Sequence, residues 1–168
     1  MRKNLTRKVA IFGMLIALAF ILSYVENLIS FHFIVPGIKL GLANLVVLVA
    51  LYLLDAKSAF VLSVLRVILV SFTFGNLYTL WYSLAGALLS YIVMVLCKKF
   101  KVFSIVGVSV SGGVAHNIGQ ITVAMIVLGD SMIYYFPFLM VGGIVTGILI
   151  GILGGLLYQQ LRRAIRMD

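Results

Sequence analysis

Charged residues are scarce in this chain, and acidic residues are the scarcest of all. Aspartate and glutamate together number 4 among 168 residues, and charged residues of both signs make up 10% of the sequence, whereas a soluble domain has about 25%. Hydrophobic residues make up 64%, against roughly 45–50% in soluble domains. A soluble fold of this length could not bury so much apolar surface, so the composition excludes a soluble enzyme and predicts an integral membrane protein.

Several chemical sites are missing as well. Cys97 is the single cysteine, which excludes an internal disulfide, and the sequence has no Walker motif, paired-cysteine metal site or nucleophile elbow. The four acids are far apart in the chain, at Glu26, Asp55, Asp130 and Asp168, so an Asp-rich pair that could hold Mg²⁺ for diphosphate chemistry is lacking. We therefore expect no metal site, no cofactor and no catalytic residue, and we do not expect the chain to be an enzyme by itself.

The apolar residues fall into six runs, each near the roughly 20 residues that a helix needs to cross a bilayer. The pattern predicts one all-α domain over residues 1–168 with six transmembrane helices. The predicted spans are 9–30, 37–54, 58–74, 77–97, 102–129 and 131–161. The basic segment 1–8 is also typical of a signal peptide, but no clear cleavage site follows it, so we interpret the first run as a retained helix.

The basic residues predict the orientation of these helices. They give the chain a net charge of +9, and they lie in short clusters between the apolar runs, which is typical of helix ends at anionic headgroups rather than of a nucleic-acid site. With six spans, one side of the membrane carries eleven of them: Arg2, Lys3, Arg7, Lys8, Lys57, Lys98, Lys99, Lys101, Arg162, Arg163 and Arg166. The positive-inside rule therefore predicts a multi-pass protein of the cytoplasmic membrane with both termini in the cytoplasm.

Four polar residues midway along the third and fifth predicted spans are candidates for chemistry. Arg66 is midway along the third span, where a charge costs about 2.5–3.5 kcal/mol on insertion scales. It either contacts an anion or belongs to a structural polar network. His116, Asn117 and Gln120 lie midway along the fifth span, and His116 and Gln120 share a helix face because they are four residues apart. Their depth matches that of Arg66, so we predict that both groups contact a substrate; an ordinary buried histidine is the alternative.

A second polar group lies at the outward end of the first span and in the loop after it. Glu26, Asn27 and His32 are followed by Lys39 at the start of the second span, with Asn44 one turn or so deeper. This group is either the mouth of a binding pocket, with Lys39 and Asn44 as substrate contacts, or a solvated loop with an ion pair.

A glycine stripe runs along the sixth span. Gly143, Gly147, Gly151 and Gly155 repeat every four residues, and small residues at this spacing let another helix approach closely. The stripe predicts helix packing, either with another helix of the chain or with another protein.

Two segments carry a resemblance to a known family. They are VPGIKLGLANL at 35–45 and GGVAHNIGQ at 112–120. Together they are similar to the bacterial membrane family called heptaprenyl diphosphate synthase component I, also known as the Gx transporter family, and the resemblance covers nearly the whole chain.

More broadly, the chain resembles the substrate-binding S components of energy-coupling factor (ECF) transporters, which are six-helix proteins with cytoplasmic termini. This resemblance implies an S-component-like fold, capture of a small molecule from the outside, and a membrane coupling subunit and two ATPases as partners. Their first helix often presents an Ala-x-x-x-Ala face to the coupling subunit, and Gly13 and Ala17 correspond to that pair here. The name of the first family implies an alternative, a noncatalytic membrane component of a heptaprenyl (polyprenyl) diphosphate synthase that serves a soluble prenyltransferase subunit and its isoprenoid product.

Overall fold

A computed structural model describes residues 2–29 and 41–166, apart from the side chains of residues 2–5, 27, 29, 165 and 166. These two ranges fold into six α-helices and one short 3-10 helix, with no strand among them. The α-helices are α1 (Arg2–Ile29), α2 (Asn44–Leu53), α3 (Ala56–Phe74), α4 (Leu77–Phe100), α5 (Ile105–Leu128) and α6 (Phe136–Arg166), and the 3-10 helix (Asp130–Tyr135) precedes α6.

Five of these helical segments are long and apolar enough to cross a membrane, counted over the described residues. Large apolar side chains point outward along all five, among them Met14 on α1, Phe72 on α3 and Ile126 on α5. Water would not tolerate so much continuous apolar surface, whereas lipid solvates it. The protein is therefore an all-α, multi-pass membrane protein, as its composition predicts.

The second predicted span takes a different form from the others. Residues 37–40 of the span 37–54 lie outside the described residues, and Gly41 to Ala43 form a turn, so α2 begins only at Asn44. Ten residues extend about 15 Å, half of the roughly 30 Å hydrocarbon core. The first eight residues of α2 are all buried, because α1, α3 and α6 pack around it. Its Val- and Leu-rich sequence therefore faces protein rather than lipid.

Short connections hold the remaining helices antiparallel to their neighbours. The α3–α4 connection is only 75–76, and the side chain of Asn76 accepts a hydrogen bond from the backbone N–H of Thr79 at 2.9 Å, which caps α4. The α4–α5 connection is 101–104, and Ser104 caps α5 in the same way. The chain consequently crosses back and forth, and α5 lies between α4 and α6.

One end of the bundle gathers basic side chains. Lys8 of α1 forms a salt bridge with Asp55 in the α2–α3 turn. The hydrogen bond from Lys8 lowers the pKa of Asp55 to about 2, so this carboxylate is ionised at neutral pH. Lys98 in the last turn of α4 donates to the backbone carbonyl of Leu51 at 2.5 Å. These contacts place the N-terminal part of α1, the α2–α3 turn and the end of α4 on the same side of the molecule.

Glycines bring α5 and α6 into close contact. A Cβ built at Gly147 would lie 2.6 Å from the Cα of Val110, and one built at Gly151 would lie 2.7 Å from the Cα of Val106. Gly143 likewise faces the backbone of Gly113 on α5. At the end of the stripe, a Cβ built at Gly155 would make an ordinary van der Waals contact with Ile105, at 3.9 Å. Three of the four stripe glycines thus lie so close to α5 that a side chain would not fit without displacing its atoms.

This geometry predicts a difference between neighbouring glycines of α6. Gly147→Ala should lower the free energy of unfolding by about 1–3 kcal/mol, because the added methyl group meets backbone atoms that cannot move aside. Gly142→Ala is the matched control, since a Cβ there meets nothing within 4 Å. Thermal unfolding of both variants in detergent measures the difference. Equal stability of the two variants would contradict the close α5–α6 packing.

Candidate functional site

The α2–α3 hairpin brings two polar residues to the same depth. Asn44 at the beginning of α2 and Arg66 on α3 are each about ten residues from the turn at Leu54 and Asp55, which corresponds to roughly 15 Å along a helix. Both therefore lie near the middle of the membrane-spanning region. The Nη2 of Arg66 donates a hydrogen bond to the Oδ1 of Asn44, at 3.4 Å.

Arg66 is a buried cation with an unused hydrogen-bond donor. Its side chain is 8% exposed, and its Nε has no hydrogen-bond partner within the described part of the chain. The hydrogen bond to Asn44 is long, at 3.4 Å. A guanidinium has five N–H donors in a planar fork, and leaving them unused in a low-dielectric interior is costly. Arg66 is thus positioned to accept an additional partner.

A carboxylate lies on the same cavity wall. Glu26 of α1 is 5% exposed and accepts a hydrogen bond from the backbone N–H of Gly41, and it attracts Arg66 electrostatically. Gly41 has a φ of +78°, which favours glycine, and its carbonyl accepts from the backbone N–H of Asn44 at 2.7 Å. The turn that begins α2 therefore has its backbone groups bound inside the protein, as a turn at membrane depth requires.

Glu26 and Arg66 line the same small cavity. Hydroxyl groups from three helices complete its polar wall, and two valines of α3 supply an apolar part. The lining residues besides Glu26 and Arg66 are Ser23, Gly41, Val67, Val70, Ser71, Ser83 and His116. We call this space the charged cavity. Its walls come from α1, α3, α4, α5 and the turn before α2.

A second small cavity lies between α2, α4, α5 and α6. Apart from His116, no lining residue has an ionisable side chain, and we call this space the neutral cavity. It includes Asn44, Ser90, Ser109, Asn117 and Thr146. The Oγ of Ser90 is buried without a hydrogen-bond partner among the described residues. Gly41 and His116 line both cavities, so the two spaces are neighbours separated by these two residues.

Close approach of α4 and α5 fixes His116 and Gln120. A Cβ built at Gly86 on α4 would lie 2.9 Å from atoms of both side chains, and one at Gly119 would lie 2.7 Å from the backbone oxygen of Ala85. His116 and Gln120 therefore fill the space left by the missing side chain of Gly86. The Oε1 of Gln120 is another buried atom with no hydrogen-bond partner in the described structure, although Gln120 lines neither cavity.

Asn117 has a bond within the bundle. Its Nδ2 donates to the backbone carbonyl of Leu139 on α6, at 2.6 Å, and its side chain lines the neutral cavity. The residue therefore ties α5 to α6, and its predicted substrate contact stays a prediction.

The structure brings together most of the residues that the sequence singles out. Arg66 and His116 line the charged cavity, Asn44 bonds to Arg66, and Asn117 lines the adjoining neutral cavity. Lys39, the remaining predicted contact, lies outside the described residues. The predicted docking pair is elsewhere: Gly13 and Ala17 lie on an exposed face of α1.

Glu26 and several serines also belong to the site. The sequence leaves the role of Glu26 open between two interpretations, and the serines are not among the predicted site residues. Of the two interpretations of Glu26, the buried position favours the pocket over the solvated loop. The serines could have been found from spacing on α4, where Ser83, Gly86 and Ser90 recur at three- and four-residue steps and so share one face. A small and polar stripe on an otherwise apolar helix indicates an interior surface.

The arrangement is suited to binding. It offers one cation, one carboxylate, several hydroxyl groups and a short apolar wall, all inside the bundle, and small-molecule sites have this mixture of apolar wall and few polar anchors. Among the described residues, no group of three or more His, Cys, Asp or Glu side chains could hold a metal ion.

These features define a class: a multi-pass α-helical membrane protein whose helices enclose a charged, partly apolar cavity. Residues 15–157 match the family model described as heptaprenyl diphosphate synthase component I. The match covers well over half of the chain, so the protein belongs to this family, which confirms the family predicted from segments 35–45 and 112–120. No curated protein and no solved structure matches the chain.

The shared cavity predicts energetic coupling between its two charges. Glu26→Gln or Arg66→Gln alone removes one of two opposite charges on the same cavity wall, whereas the double variant removes both. The double variant should therefore be more stable than the sum of the two single effects predicts, by about 0.5–3 kcal/mol. Unfolding of the four proteins in detergent gives this coupling energy.

The control cycle pairs Arg66→Gln with Asp55→Asn, because Asp55 is bonded to Lys8 outside the cavity. That pair should be additive within about 0.5 kcal/mol. Additivity of the Glu26 and Arg66 changes would show that the two charges do not act on each other.

Proposed function

We propose that the protein is the substrate-binding component of an uptake transporter of the energy-coupling factor type. It captures a small molecule from outside the cell in the charged cavity, and partner subunits supply the energy. The observation that carries this proposal is Arg66, a cation in the middle of the membrane-spanning region that lines a cavity and has an unused donor. An ionisable residue at this depth is costly, and substrate pathways are among the sites at which such residues are kept.

The cavity composition supports a ligand with a polar head and an apolar body. Arg66 and the serines Ser71 and Ser83 provide polar contacts, and Val67 and Val70 provide an adjoining apolar surface. His116 between the two cavities supplies a further polar contact. The ligand class follows from these side chains, because each surface of a bound molecule must match the wall that it touches.

The exposed face of α1 supports a partner protein. Gly13 and Ala17 are exposed one helical turn apart, and a Cβ at Gly13 would meet nothing within 4 Å. Small residues one turn apart leave a shallow groove in which another transmembrane helix can pack closely. A membrane coupling subunit, which in turn binds two ATPases, is the partner that the S-component-like architecture favours.

The family description favours a second candidate function. A member of heptaprenyl diphosphate synthase component I could be a noncatalytic membrane component that holds an isoprenoid near a soluble prenyltransferase. The described acids suit binding better than diphosphate chemistry, since Glu26 lies in the cavity, Asp55 is paired with Lys8, and Asp130 is exposed near the opposite end. We place this candidate second because the cavity is built around a cation inside the membrane.

Co-purification distinguishes the two candidates. The tagged protein, extracted in mild detergent, should recover a membrane coupling subunit and two ATPases. The double change Gly13→Leu and Ala17→Leu should reduce that recovery about tenfold, because a loss of about 1.4 kcal/mol has this effect and two leucines would fill the groove. Quantitative mass spectrometry of the eluate measures the recovery.

Gly142→Leu is the matched control, because Gly142 also has open space at its Cβ but lies on α6. It should leave recovery of the partners unchanged. Recovery of a soluble prenyltransferase without any ATPase would overturn the transporter proposal and favour the second candidate.

We also propose that the basic end of the bundle faces the cytoplasm. Lys99 is exposed at this end, and Asp130 is exposed beyond the opposite end of α5, so cysteines at these two positions report on the two sides. In a Cys97→Ser background, a membrane-impermeant maleimide should label Asp130→Cys in intact cells and Lys99→Cys only after the cells are opened. The reverse pattern would invert the orientation.

A further inference from the structure

We propose that the neutral cavity binds an uncharged hydroxyl group of the ligand whose polar head contacts Arg66, and that Ser90 recognises this hydroxyl. The inference rests on the proposed function, because it names a chemical group of the molecule that the binding component captures. It is carried by the buried, unpartnered hydroxyl of Ser90 and by the position of the neutral cavity beside Arg66.

Ser90 differs from other hydroxyl-bearing residues of the bundle. A serine or threonine within a helix can donate its hydroxyl to the backbone carbonyl four residues earlier. Four hydroxyl groups do so at 2.7 to 2.9 Å, those of Thr73, Ser111, Thr122 and Thr146. Ser90 is only 1% exposed, yet its Oγ has no hydrogen-bond partner within the described ranges. Because a buried hydroxyl without a partner is destabilising, a partner that binds beside Ser90 gains this energy.

Glycines leave open space beside the Ser90 hydroxyl. Gly41, Gly112, Gly113 and Gly147 all line the neutral cavity, and a Cβ built at Gly112 would lie only 3.2 Å from the Oγ of Ser90. The remaining space suits a guest about the size of a water molecule. A hydroxyl group is close to this size, so the cavity suits one small polar group.

The lining of the neutral cavity favours an uncharged guest. Apart from His116, no lining residue has an ionisable side chain, and a charge buried without a counter-charge is costly. A hydroxyl guest can both donate and accept, as the hydroxyl of Ser90 can. Thr146, which donates to the carbonyl of Gly142 at 2.8 Å, still has lone pairs that can accept a hydrogen bond. A hydroxyl therefore matches this wall better than an ionic group does.

Asn44 connects the neutral cavity to Arg66. Its side chain lines the neutral cavity, and its Oδ1 accepts a hydrogen bond from Arg66, which lines the charged cavity. Gly41 and His116 line both spaces. A molecule of a few heavy atoms whose head accepts from the unused Nε of Arg66 can therefore extend past Asn44 to Ser90.

The test uses pairs of neutral amides that differ by one terminal hydroxyl. The pairs are propionamide and 3-hydroxypropionamide, butyramide and 4-hydroxybutyramide, and valeramide and 5-hydroxyvaleramide. The amide carbonyl can accept from Arg66, and the three chain lengths cover a range of spacings between the two contacts. Ligand-observed NMR titration of the purified protein in detergent gives each Kd, with empty micelles as the blank.

We expect the hydroxylated member to bind about three- to tenfold more tightly at one or more chain lengths, which is the effect of one added hydrogen bond. Partition into detergent gives the opposite order, because a hydroxyl makes the probe more polar. Equal or weaker binding of the hydroxylated member at all three lengths would overturn the proposal.

Three variants locate the contacts. Ser90→Ala should reduce the ratio of the two Kd values to one or below, because it removes the partner of the probe hydroxyl. Ser111→Ala is the matched control and should retain the preference, since its hydroxyl is bonded to Gly107 and lines neither cavity. Arg66→Gln should weaken both members of a pair about tenfold. A preference that survives in Ser90→Ala would contradict the role of Ser90, and unchanged binding by Arg66→Gln would contradict the contact of the head.

The outcome separates this inference from the proposed function. If the hydroxyl gives no preference, the inference fails, while recovery of a coupling subunit and ATPases would still support a transporter component. If the preference is present and depends on Ser90 but those partners are never recovered, the hydroxyl site stands and the transporter proposal fails.

Discussion

The structure depends on one buried half-helix. The N-terminal end of α2 lies inside the protein, and the backbone groups at a helix end must find partners because lipid supplies none. Glu26 binds the backbone of the turn at the N-terminal end, where negative charge is favourable. Lys98 binds the carbonyl of Leu51 at the C-terminal end, where positive charge is favourable. Two opposite charges from two other helices thus stabilise a helix too short to cross the membrane.

The charged cavity exists because α2 begins in the middle of the bundle. A full-length helix would bring only apolar side chains to the middle of the bundle, whereas the beginning of α2 brings a turn, a helix dipole and Asn44 to the depth of Arg66. The small residues of α4 and α5 leave room around them, and Gly86 lets His116 approach the cavity wall. The charged cavity is therefore a consequence of the short helix and of the small residues that surround it.

The two faces of the bundle have different roles. On one face, α5 and α6 are held by backbone contact at Gly147 and Gly151, which makes this part of the frame resistant to deformation. On the other, α1 exposes Gly13 and Ala17 while its inner face supplies Ser23 and Glu26. One helix thus presents small residues to the membrane and an acid to the cavity. A partner that packs on α1 would act directly on a helix that holds part of the site.

The sequence by itself determined the membrane class and the all-α fold, and it singled out Arg66 and His116. Each of these follows from a local cost: apolar surface needs lipid, and a charge or imidazole within an apolar run needs a partner. The tertiary structure alone decided that α2 begins at Asn44 and is buried, that Glu26 and Ser83 line the charged cavity, and that Ser90 lines the neutral cavity. Hydropathy cannot show these features. A run of valine and leucine has the same hydropathy whether it faces lipid or protein. A carboxylate near a helix end has the same hydropathy whether it contacts water or a buried backbone N–H. Only the packing of α1, α3 and α6 around α2 distinguishes these cases, since burial is a property of neighbours that are distant in the chain.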